Sequence, residues 1–392
     1  MAPTNARSAA AKLWCSRGSV TGIKYGILFT IFMILIGCGA DESPPELPDI
    51  EYRLVITDSI GVETGDPEYM LIWPVSLTHS PEGNIVFLDR MKHAAFMYTP
   101  DGEFIRTVGR EGEGPGEFHM PSSLEFNSDG NLLIGDMYEI ALFDSDYDLM
   151  SQMTWPHTAP YFINALNDGG FIGIQRIPRP EENRILWVST LARWDGDYDP
   201  SVEYFSIEFE WRIDSDGIDH SSFRESSIYN CATSDGRVFY SQSSIDKFEI
   251  HGCEPDGTPF LHIVDENFHR VRKSEEELQA EMDAFNSLIN RMSGGSPRQV
   301  NVKLDPYKHT VLGMFIDGEE RIWVRLGCYP GIVFRVYDFS GEILFHAMVE
   351  YDGNPVDLNT WEITGDEHGF LAYNASYDQY QRIYMLELTG TE

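Results

Sequence analysis

The stretch from Pro74 to Trp155 contains one pattern twice. The first copy reads PVSLTHSPEGNIVFLDRMKHAAFMYTPDGEFIRTVG (74–109), and the second reads PSSLEFNSDGNLLIGDMYEIALFDSDYDLMSQMTW (121–155). Each copy contains two hairpins, in which short apolar strands flank turns such as Glu82-Gly83 and Asp129-Gly130. Four strands per unit, repeated every ~40–50 residues, are typical of the blades of a β-propeller.

Turn glycines extend this repeat along the chain. Six of them precede an apolar strand: Gly83, Gly130, Gly169, Gly236, Gly318 and Gly369. Five units also contain an outer hairpin, with turns near Gly102, Tyr147, Gly196, Gly257 and Gly341. The sixth unit lacks one outer strand, which the alternating segment 51–60 (EYRLVITDSI) supplies. The sequence therefore predicts an all-β fold over 51–392: a six-bladed β-propeller of four-stranded antiparallel blades, closed by its N-terminal strand.

A helical insertion interrupts the propeller at about 265–308. Ser274 and Glu277 form a capping box, and Gly294-Gly295 predicts the end of the helix. The apolar residues between them recur at helical spacing and are Leu278, Met282, Phe285 and Ile289. We expect this stripe to pack on the propeller and not to bind a cofactor.

The joint between the two copies resembles a known family. Its sequence, IRTVGREGEGPGEFHMPSSL (105–124), together with the paired hairpins, is similar to the NHL-like six-bladed β-propeller proteins that many bacteria carry as lipoproteins. The resemblance covers about 60–390. It weakens between Ile177 and Ser226, where we expect a longer and irregular blade. It implies the propeller fold and a lipid anchor, but no particular activity.

The N-terminus is typical of a bacterial lipoprotein signal. Residues 1–24 are basic and contain no acid, and the apolar run YGILFTIFMILI (25–36) is shorter than the ~20 residues that span a membrane. The run ends in Leu35-Ile36-Gly37-Cys38, which resembles a lipobox and implies attachment of diacylglycerol to Cys38. We predict a signal peptide at 1–37, an acidic Pro-rich tether at 38–50, and export to the bacterial cell envelope, on the periplasmic side or at the cell surface.

The chain is strongly acidic, with a formal net charge of -35. The signal peptide contributes four basic residues, so the mature chain keeps 24 basic against 63 acidic residues, or -39. This balance excludes nucleic acid and an anionic lipid surface as main partners. We expect contact with the membrane through the lipid anchor only.

Cysteines provide no covalent framework. Beyond Cys15 in the leader and Cys38, the chain contains Cys231, Cys253 and Cys328, an odd set without metal-ligand spacing. Cys231 and Cys253 fall in one blade, but the predicted strand order leaves another strand between them. We expect no disulfide there.

Two carboxylates are candidate ligands at the central channel. Asp89 and Asp136 each end the second strand of a unit. In propeller lactonases and amidating lyases, carboxylates and imidazoles around the channel hold a metal that activates water or substrate. The other four units have no acid at this position, so we expect both side chains to accept hydrogen bonds from loop amides. A metal-dependent hydrolase or lyase, lactonase-like or amidating-lyase-like, is nevertheless the alternative function.

Three acidic clusters are candidate calcium sites. They are Asp144, Asp146 and Asp148; Asp195, Asp197 and Asp199; and Asp214, Asp216 and Asp219. Calcium takes six to eight oxygen ligands, and alternating acids in one turn supply about three of them. The first two clusters coincide with hairpin turns, where Asp is favoured in any case. We therefore expect no resident cofactor, with calcium as the alternative.

Loops define two faces of the predicted propeller. The four strands of each blade are labelled a to d in chain order. The loops between strands b and c and the joints between blades share one face, here called the joint face. The turns between a and b and between c and d share the other, the turn face. The joint face holds most of the mature chain's basic residues and the helical insertion. Its predicted contact residues, which we expect to be exposed, are Arg110, Arg176, Arg179, Tyr329 and Tyr377.

The leading functional hypothesis is a non-catalytic binding propeller. It engages a protein or a glycan of the cell envelope through the joint face, and a scaffold role in an envelope complex is a variant of the same idea. Neither hypothesis assigns a catalytic residue.

The lipobox yields the first prediction. Cys38→Ser removes the thiol that accepts the lipid, so we expect the protein to become soluble or to accumulate as uncleaved precursor. Cell fractionation and labelling with radioactive palmitate measure this. Processing and labelling that persist in the variant would contradict acylation of Cys38.

Overall fold

The computed structural model describes residues 45–181, 184–210, 213–214, 217–219, 224, 226–292, 302–350, 360–374 and 380–391. Within this part the chain forms an all-β propeller of six blades around a central channel, with one long helix, α1 (Glu275–Met292). The predicted fold class is confirmed. Cys38 and the predicted signal peptide lie outside the described residues.

Blades 1 to 4 each consist of four consecutive antiparallel strands. Blade 1 contains β2 (Pro74–His79), β3 (Ile85–Asp89), β4 (Ala94–Tyr98) and β5 (Phe104–Val108). Blade 2 contains β6 (Ser123–Phe126), β7 (Leu132–Gly135), β8 (Glu139–Phe143) and β9 (Leu149–Thr154). Blade 3 contains β10 (Tyr161–Ala165), β11 (Phe171–Pro180), β12 (Ile185–Trp194) and β13 (Val202–Glu210). Blade 4 contains β16 (Ile228–Ala232), β17 (Val238–Gln242), β18 (Glu249–Cys253) and β19 (Pro259–Val264).

The remaining strands form blades 5 and 6 and a small sheet. Blade 5 contains β21 (Val311–Ile316), β22 (Ile322–Leu326), β23 (Val333–Tyr337) and β24 (Ile343–Glu350). Blade 6 contains β25 (Trp361–Asp366), β26 (Gly369–Asn374), β27 (Ile383–Gly390) and the N-terminal strand β1 (Tyr52–Ile60). The small sheet consists of β14 (Ile213–Asp214), β15 (Gly217–Asp219) and β20 (Val302–Lys303).

β1 closes the ring, as predicted. It pairs antiparallel with β27, from Tyr52 opposite Gly390 to Ile60 opposite Ile383. It also pairs parallel with β24, which the sequence did not indicate. Blades 5 and 6 are therefore joined into one eight-stranded sheet. Both edges of β1 are hydrogen-bonded, so no free strand edge remains where the ring closes.

Apolar side chains fill the six interfaces between neighbouring blades. Successive residues of a strand point to opposite faces of its sheet. Phe87 accordingly packs toward blade 6, whereas Val86 and Leu88 pack toward blade 2. All five residues of β3 are buried. Each blade therefore has two apolar faces and needs a neighbour on both sides.

Most predicted turn glycines adopt the left-handed conformation that hairpin turns require, among them Gly83 with φ 83° and Gly236 with φ 97°. Gly318 is an exception, because Glu320 takes the positive φ in that turn. A Cβ atom on Gly318 would lie 2.3 Å from the Cα of Glu367. Gly318 therefore lies within the turn without taking its positive φ, and it permits close approach of blades 5 and 6.

Blade 3 is long and partly irregular, as expected. Register shifts occur between Leu191 and Ala192 where β12 pairs with β13, and between Tyr161 and Asn164 where β10 pairs with β11. β11 and β12, by contrast, pair without interruption from Phe171 opposite Trp194 to Pro180 opposite Ile185. These two strands are about twice as long as their equivalents in blade 1, so their hairpin projects beyond the joint face.

The glycine-rich joint is a structural loop between blades 1 and 2. Phe118 is fully buried among side chains of both blades. Gly109, with φ 85°, lets the chain pass so close to this ring that a Cβ atom would overlap it. Glu117 accepts hydrogen bonds from the backbone N–H of Gly114 (2.9 Å) and from Arg110 (2.8 Å). The loop thus satisfies its own polar groups.

The described cysteines are free and buried. β17 lies between the strands that carry Cys231 and Cys253, which is the strand order predicted from the sequence. Burial raises the pKa of the Cys231 thiol. Neutral buried thiols of this kind behave as small apolar side chains.

Across the described ranges, no helix is long and apolar enough to span a bilayer.

Ring closure yields a prediction about stability. Leu54 on β1 is fully buried between blades 5 and 6. Leu54→Ala should lower the free energy of unfolding by about 2–5 kcal/mol, because it leaves a cavity at the closure. Urea unfolding measures the loss. The control is Ile343→Ala on neighbouring β24: Ile343 is 49% exposed, so a change within about 0.5 kcal/mol is expected. Equal effects of the two substitutions would show that β1 does not carry the closure.

Candidate functional site

The joint face carries a cap above blades 3 to 5. We define the cap as α1 with the small sheet β14-β15-β20. Two separate joints contribute to the cap, because β15 follows blade 3 and β20 follows blade 4. Strands β15 and β20 pair in parallel. At the base of the second insertion, Lys273 N–H donates to the Pro306 carbonyl and Lys308 N–H to the Val271 carbonyl (2.9 and 2.8 Å). The insertion therefore leaves and rejoins the propeller through a hydrogen-bonded neck.

The predicted capping box begins α1. The backbone N–H of Ser274 donates to Glu277, and the backbone N–H of Glu277 donates to Ser274 Oγ (2.8 and 3.1 Å). The predicted apolar stripe is half-buried along its length. The helix is thus held in part by apolar packing.

Buried ion pairs hold the helix as well. Lys273 Nζ lies 2.5 Å from Glu281, and both side chains are at least nine-tenths buried. Lys308 Nζ lies 2.5 Å from Glu277. Losing one partner of a buried pair leaves an uncompensated charge, which is strongly destabilising. These pairs therefore fix the position of the helix on the propeller.

The opposite half of the joint face exposes apolar side chains. We call this set the apolar rim; its members are between 37% and 51% exposed and are Met70, Ile72, Met91, Met137, Tyr138 and Tyr380. All of them lie in joints or b–c loops of blades 6, 1 and 2. Exposed apolar side chains that cluster on one face mark interaction sites.

Asp89 organises the blade 1 part of the rim. Its buried carboxylate accepts hydrogen bonds from the backbone N–H groups of Ile72 (2.7 Å), Trp73 (3.1 Å) and Met91 (3.1 Å). The joint before β2 and the b–c loop after β3 are thereby held side by side. The predicted bonding of this residue to loop amides is confirmed.

Asp136 repeats the arrangement in blade 2. Its carboxylate accepts from the backbone N–H groups of His119 (2.5 Å), Met120 (2.8 Å) and Met137 (2.5 Å). The two units are connected, since Arg90 Nε donates to the Pro121 carbonyl at 3.1 Å. The two carboxylates that the sequence offered as metal ligands thus position the loops that display the rim.

The central channel is a cavity of about 1080 Å³. The innermost strands of all six blades line it. Its joint end carries arginines, with Arg90 and Arg176 among the lining residues. Its turn end is acidic, and the acids there are Glu125, Asp317, Glu320, Asp366 and Glu367. Asp136 and Glu362 line the joint end beside the arginines, so the acidic groups outnumber the basic ones at the turn end only.

Carboxyl groups in the channel have shifted pKa values. Burial, together with the charges of Asp366 and Glu367, raises the pKa of Glu125 from 4.5 to about 8. Burial opposes ionisation of Asp366 too, but hydrogen bonds from His79 outweigh it and hold the pKa of that carboxyl below its usual value. His79 Nδ1 lies 2.9 Å from Asp366 Oδ1. At neutral pH the turn end therefore contains a protonated carboxyl next to an ionised one.

Two of the predicted contact residues are not exposed. Tyr329 is 8% exposed and packs in the core between blades 4 and 5. Arg176 is half-buried: its Nε donates to Ser189 Oγ at 2.9 Å and its guanidinium lies 5.0 Å from the Phe209 ring. The expectation of exposure is wrong for both, because the long blade 3 hairpin and the fold of blade 5 cover them.

Arg110 and Arg179 are exposed, as expected. Arg110 is paired with Glu117 of its own loop. Arg179 on β11 forms two hydrogen bonds to Glu208 on β13, across the intervening strand β12. Both therefore also serve the local structure. Tyr377 lies outside the described residues.

The acidic clusters serve their own turns where the structure describes them. Asp144 Oδ1 accepts from the backbone N–H groups of Asp146 (3.0 Å) and Asp148 (2.9 Å). In the second cluster, Asp195 accepts from Arg193 at 2.8 Å. In the third, Asp216 lies outside the described residues. Whether any cluster takes up calcium stays a prediction.

The sequence analysis missed the apolar rim. Its best indication was present in both copies of the repeat, where an exposed methionine closely follows the strand-ending acid (Asp89-Arg-Met91 and Asp136-Met137). Only the b–c loop geometry shows that these side chains point outward.

Comparison with known proteins agrees with the fold. Residues 60–232 match the model of the DUF5128 family, described as a 6-bladed beta-propeller. This match covers less than half of the chain and ends with β16, the first strand of blade 4. The other strands of blade 4 and blades 5 and 6 are established by the structure alone. No curated protein matches the chain significantly.

Several solved structures are similar in shape. A Bacteroides fragilis protein described as exported shares 12% identity, with a TM-score of 0.50 over 89% of this chain and 99% of that chain. Virginiamycin B lyase from Staphylococcus aureus shares 12% identity, with a TM-score of 0.40 over 87% and 89% of the two chains. A gluconolactonase from Xanthomonas campestris shares 10% identity, with a TM-score of 0.44 over 85% and 98%. At these identities the similarity shows the fold alone.

The raised pKa of Glu125 yields a prediction about pH. A carboxyl whose pKa is higher in the folded state opposes folding once it ionises, so its cost is absent below pH 4.5 and complete above about pH 8. Glu125→Gln should therefore stabilise the protein by about 1–3 kcal/mol at alkaline pH and leave it unchanged under acidic conditions.

Urea unfolding at both pH values measures this difference. The control is Glu103→Gln in an exposed turn, which should change stability little at either pH. A gain for Glu125→Gln that is the same at both pH values would contradict the raised pKa.

Proposed function

We propose that the protein is an exported, lipid-anchored and non-catalytic propeller that binds a protein partner in the bacterial cell envelope through the joint face. The observation that carries this proposal is the apolar rim, in which side chains of three adjacent blades are exposed together. The NHL-like resemblance and the lipobox are consistent with the same role.

The chemistry of the rim favours a protein over a glycan. Methionine and aromatic side chains are enriched in protein interfaces, and flexible methionines adapt to an apolar partner surface. A glycan site would need polar groups around its aromatic rings, whereas half of the six rim residues are methionines. The partner should therefore present a complementary apolar patch.

The support beneath the rim also favours binding. The carboxylates of Asp89 and Asp136 hold the rim loops by backbone hydrogen bonds, so these loops are ordered before a partner arrives. Preorganised loops lose less conformational entropy on association. The alternative is a metal-dependent hydrolase or lyase at the channel, whereas the group of potential metal ligands found among the described residues lies on blade 4.

The direction of β1 determines how an anchor at Cys38 would orient the propeller. Tyr52 lies opposite Gly390 at the turn face, and Ile60 leads into the joint face. The tether therefore joins the propeller at its turn face. A segment from Cys38 to Tyr52 reaches about 50 Å at most, so a taut anchor would draw the turn face toward the membrane and leave the rim on the far side.

Substitution of the rim tests the proposal. Met91→Glu with Met137→Glu places two charges in the rim, whereas Ile105→Glu with Ile343→Glu places two charges at exposed positions of outer strands (40% and 49% exposed). Crosslinked complexes are purified from detergent-solubilised envelope with the wild type and both variants. We expect a partner that the wild type and the outer-strand variant capture and the rim variant loses.

The magnitude follows from interface energetics. Loss of a central contact residue reduces the binding free energy by about 1–2 kcal/mol or more. The rim variant should therefore bind the partner with a dissociation constant raised about tenfold or more. Equal capture by both variants, or equal loss from both, would contradict docking at the rim. Binding to envelope polysaccharide that needs the joint face would favour a glycan instead.

A further inference from the structure

Blade 4 carries three side chains whose metal-ligating atoms converge. One ligand atom each of Glu249, His251 and His262 lies within 4.8 Å of the others, a grouping that the described residues show at this one place. These residues belong to the two outer strands, β18 and β19. They are not members of the apolar rim and take no part in the proposed function.

Strand geometry brings the three together. Glu249 and His251 are two residues apart on β18 and therefore point to the same face of the sheet. His262 on β19 lies directly opposite His251 in the register. Their rings are stacked with centroids 4.5 Å apart and planes inclined by 14°. The register shift between these strands falls beyond them, at Gly252 and Cys253.

The neighbouring strand supports the arrangement. Tyr240 on β17 lies opposite His251, and the two rings are stacked at 5.0 Å and 17°. Tyr240 and His262 therefore stack on the His251 ring from the two strands that flank β18, which fixes the orientation of this imidazole.

We propose that Glu249, His251 and His262 bind one divalent transition-metal ion, of which Zn²⁺ is the best match. Two imidazoles and one carboxylate are ligands that zinc accepts at about 2.0–2.2 Å, and small side-chain rotations bring atoms 4.8 Å apart to that distance from a common point. Three protein ligands leave a fourth position open. His262 is exposed on the outermost strand, so the open position faces solvent and can take water or a donor from another molecule.

Lys247 competes with the ion. Its Nζ lies 2.9 Å from Glu249 Oε2, and its side chain is 62% exposed. A bound cation must displace or repel this ammonium group. The site is consequently weaker in the wild type than its ligands alone would make it, and removal of the lysine should strengthen it.

Zinc titration of the untagged protein, after removal of metals with a chelator, tests the proposal. Isothermal titration calorimetry should show one Zn²⁺ per chain. His251→Ala with His262→Ala should weaken binding at least about 100-fold, because loss of even an outer-shell partner costs about 10–100-fold. Lys247→Gln should tighten it. Cobalt(II) added in place of zinc should give visible absorption bands that the double variant lacks.

A second histidine pair provides the matched control. The His93 and His119 rings lie 6.4 Å apart without a third ligand among the described residues. His93→Ala with His119→Ala should therefore leave zinc binding unchanged. Thermal unfolding in the presence of chelator checks that each variant is folded. If the variant His251→Ala with His262→Ala does not fold, the single substitution His262→Gln at the exposed position replaces it in the titration. Absence of stoichiometric binding, or binding that survives loss of His262, would overturn the proposal.

Discussion

The hydrogen bonds along both edges of β1 are the constraint on which the fold depends. Each blade is apolar on both faces, so an open ring would expose one complete face of blade 1 and one of blade 6. β1 prevents this by completing blade 6 and by pairing with β24 of blade 5. The apolar interface between blades 6 and 1 forms because β1, the first strand of the chain, pairs with β27, the last.

Closure of this kind leaves the loops available for function. The strands carry the stability, and the joint face can accept insertions without loss of core contacts. Blades 3 to 5 use this freedom for the cap and the projecting hairpin, while the joints and b–c loops of blades 6, 1 and 2 display apolar side chains. The two halves of one face thus have different chemistry on the same scaffold.

Local rules account for the parts of the fold that the sequence predicted. Turn glycines, the alternation of 51–60 and the capping box at Ser274 are each determined by neighbouring residues. The parallel pair of β1 with β24 was not predictable, because nothing local distinguishes a strand edge that finds a second partner. The positive φ of Glu320 escaped prediction for a similar reason, since Gly318 is required by contact with Glu367 of the next blade.

The site was less predictable than the fold. Arg176 and Tyr329 looked exposed because they lie in loop segments, yet tertiary neighbours cover them. The acids Asp89 and Asp136 were identified correctly as amide acceptors, but the amides include those of rim residues that composition does not mark. The raised pKa of Glu125 depends first on burial in the channel and then on carboxylates from another blade. Such properties arise only when strands distant in sequence meet at the channel.

The position of β1 has a mechanical consequence. A force between a membrane anchor and a partner bound at the joint face would pull β1 along its own axis, because the tether enters at the turn face. Its hydrogen bonds to β24 and β27 would then be loaded in shear, all at the same time, and would not open one after another. With the proposed anchor and partner in place, the strand that closes the ring would therefore also resist detachment under tension.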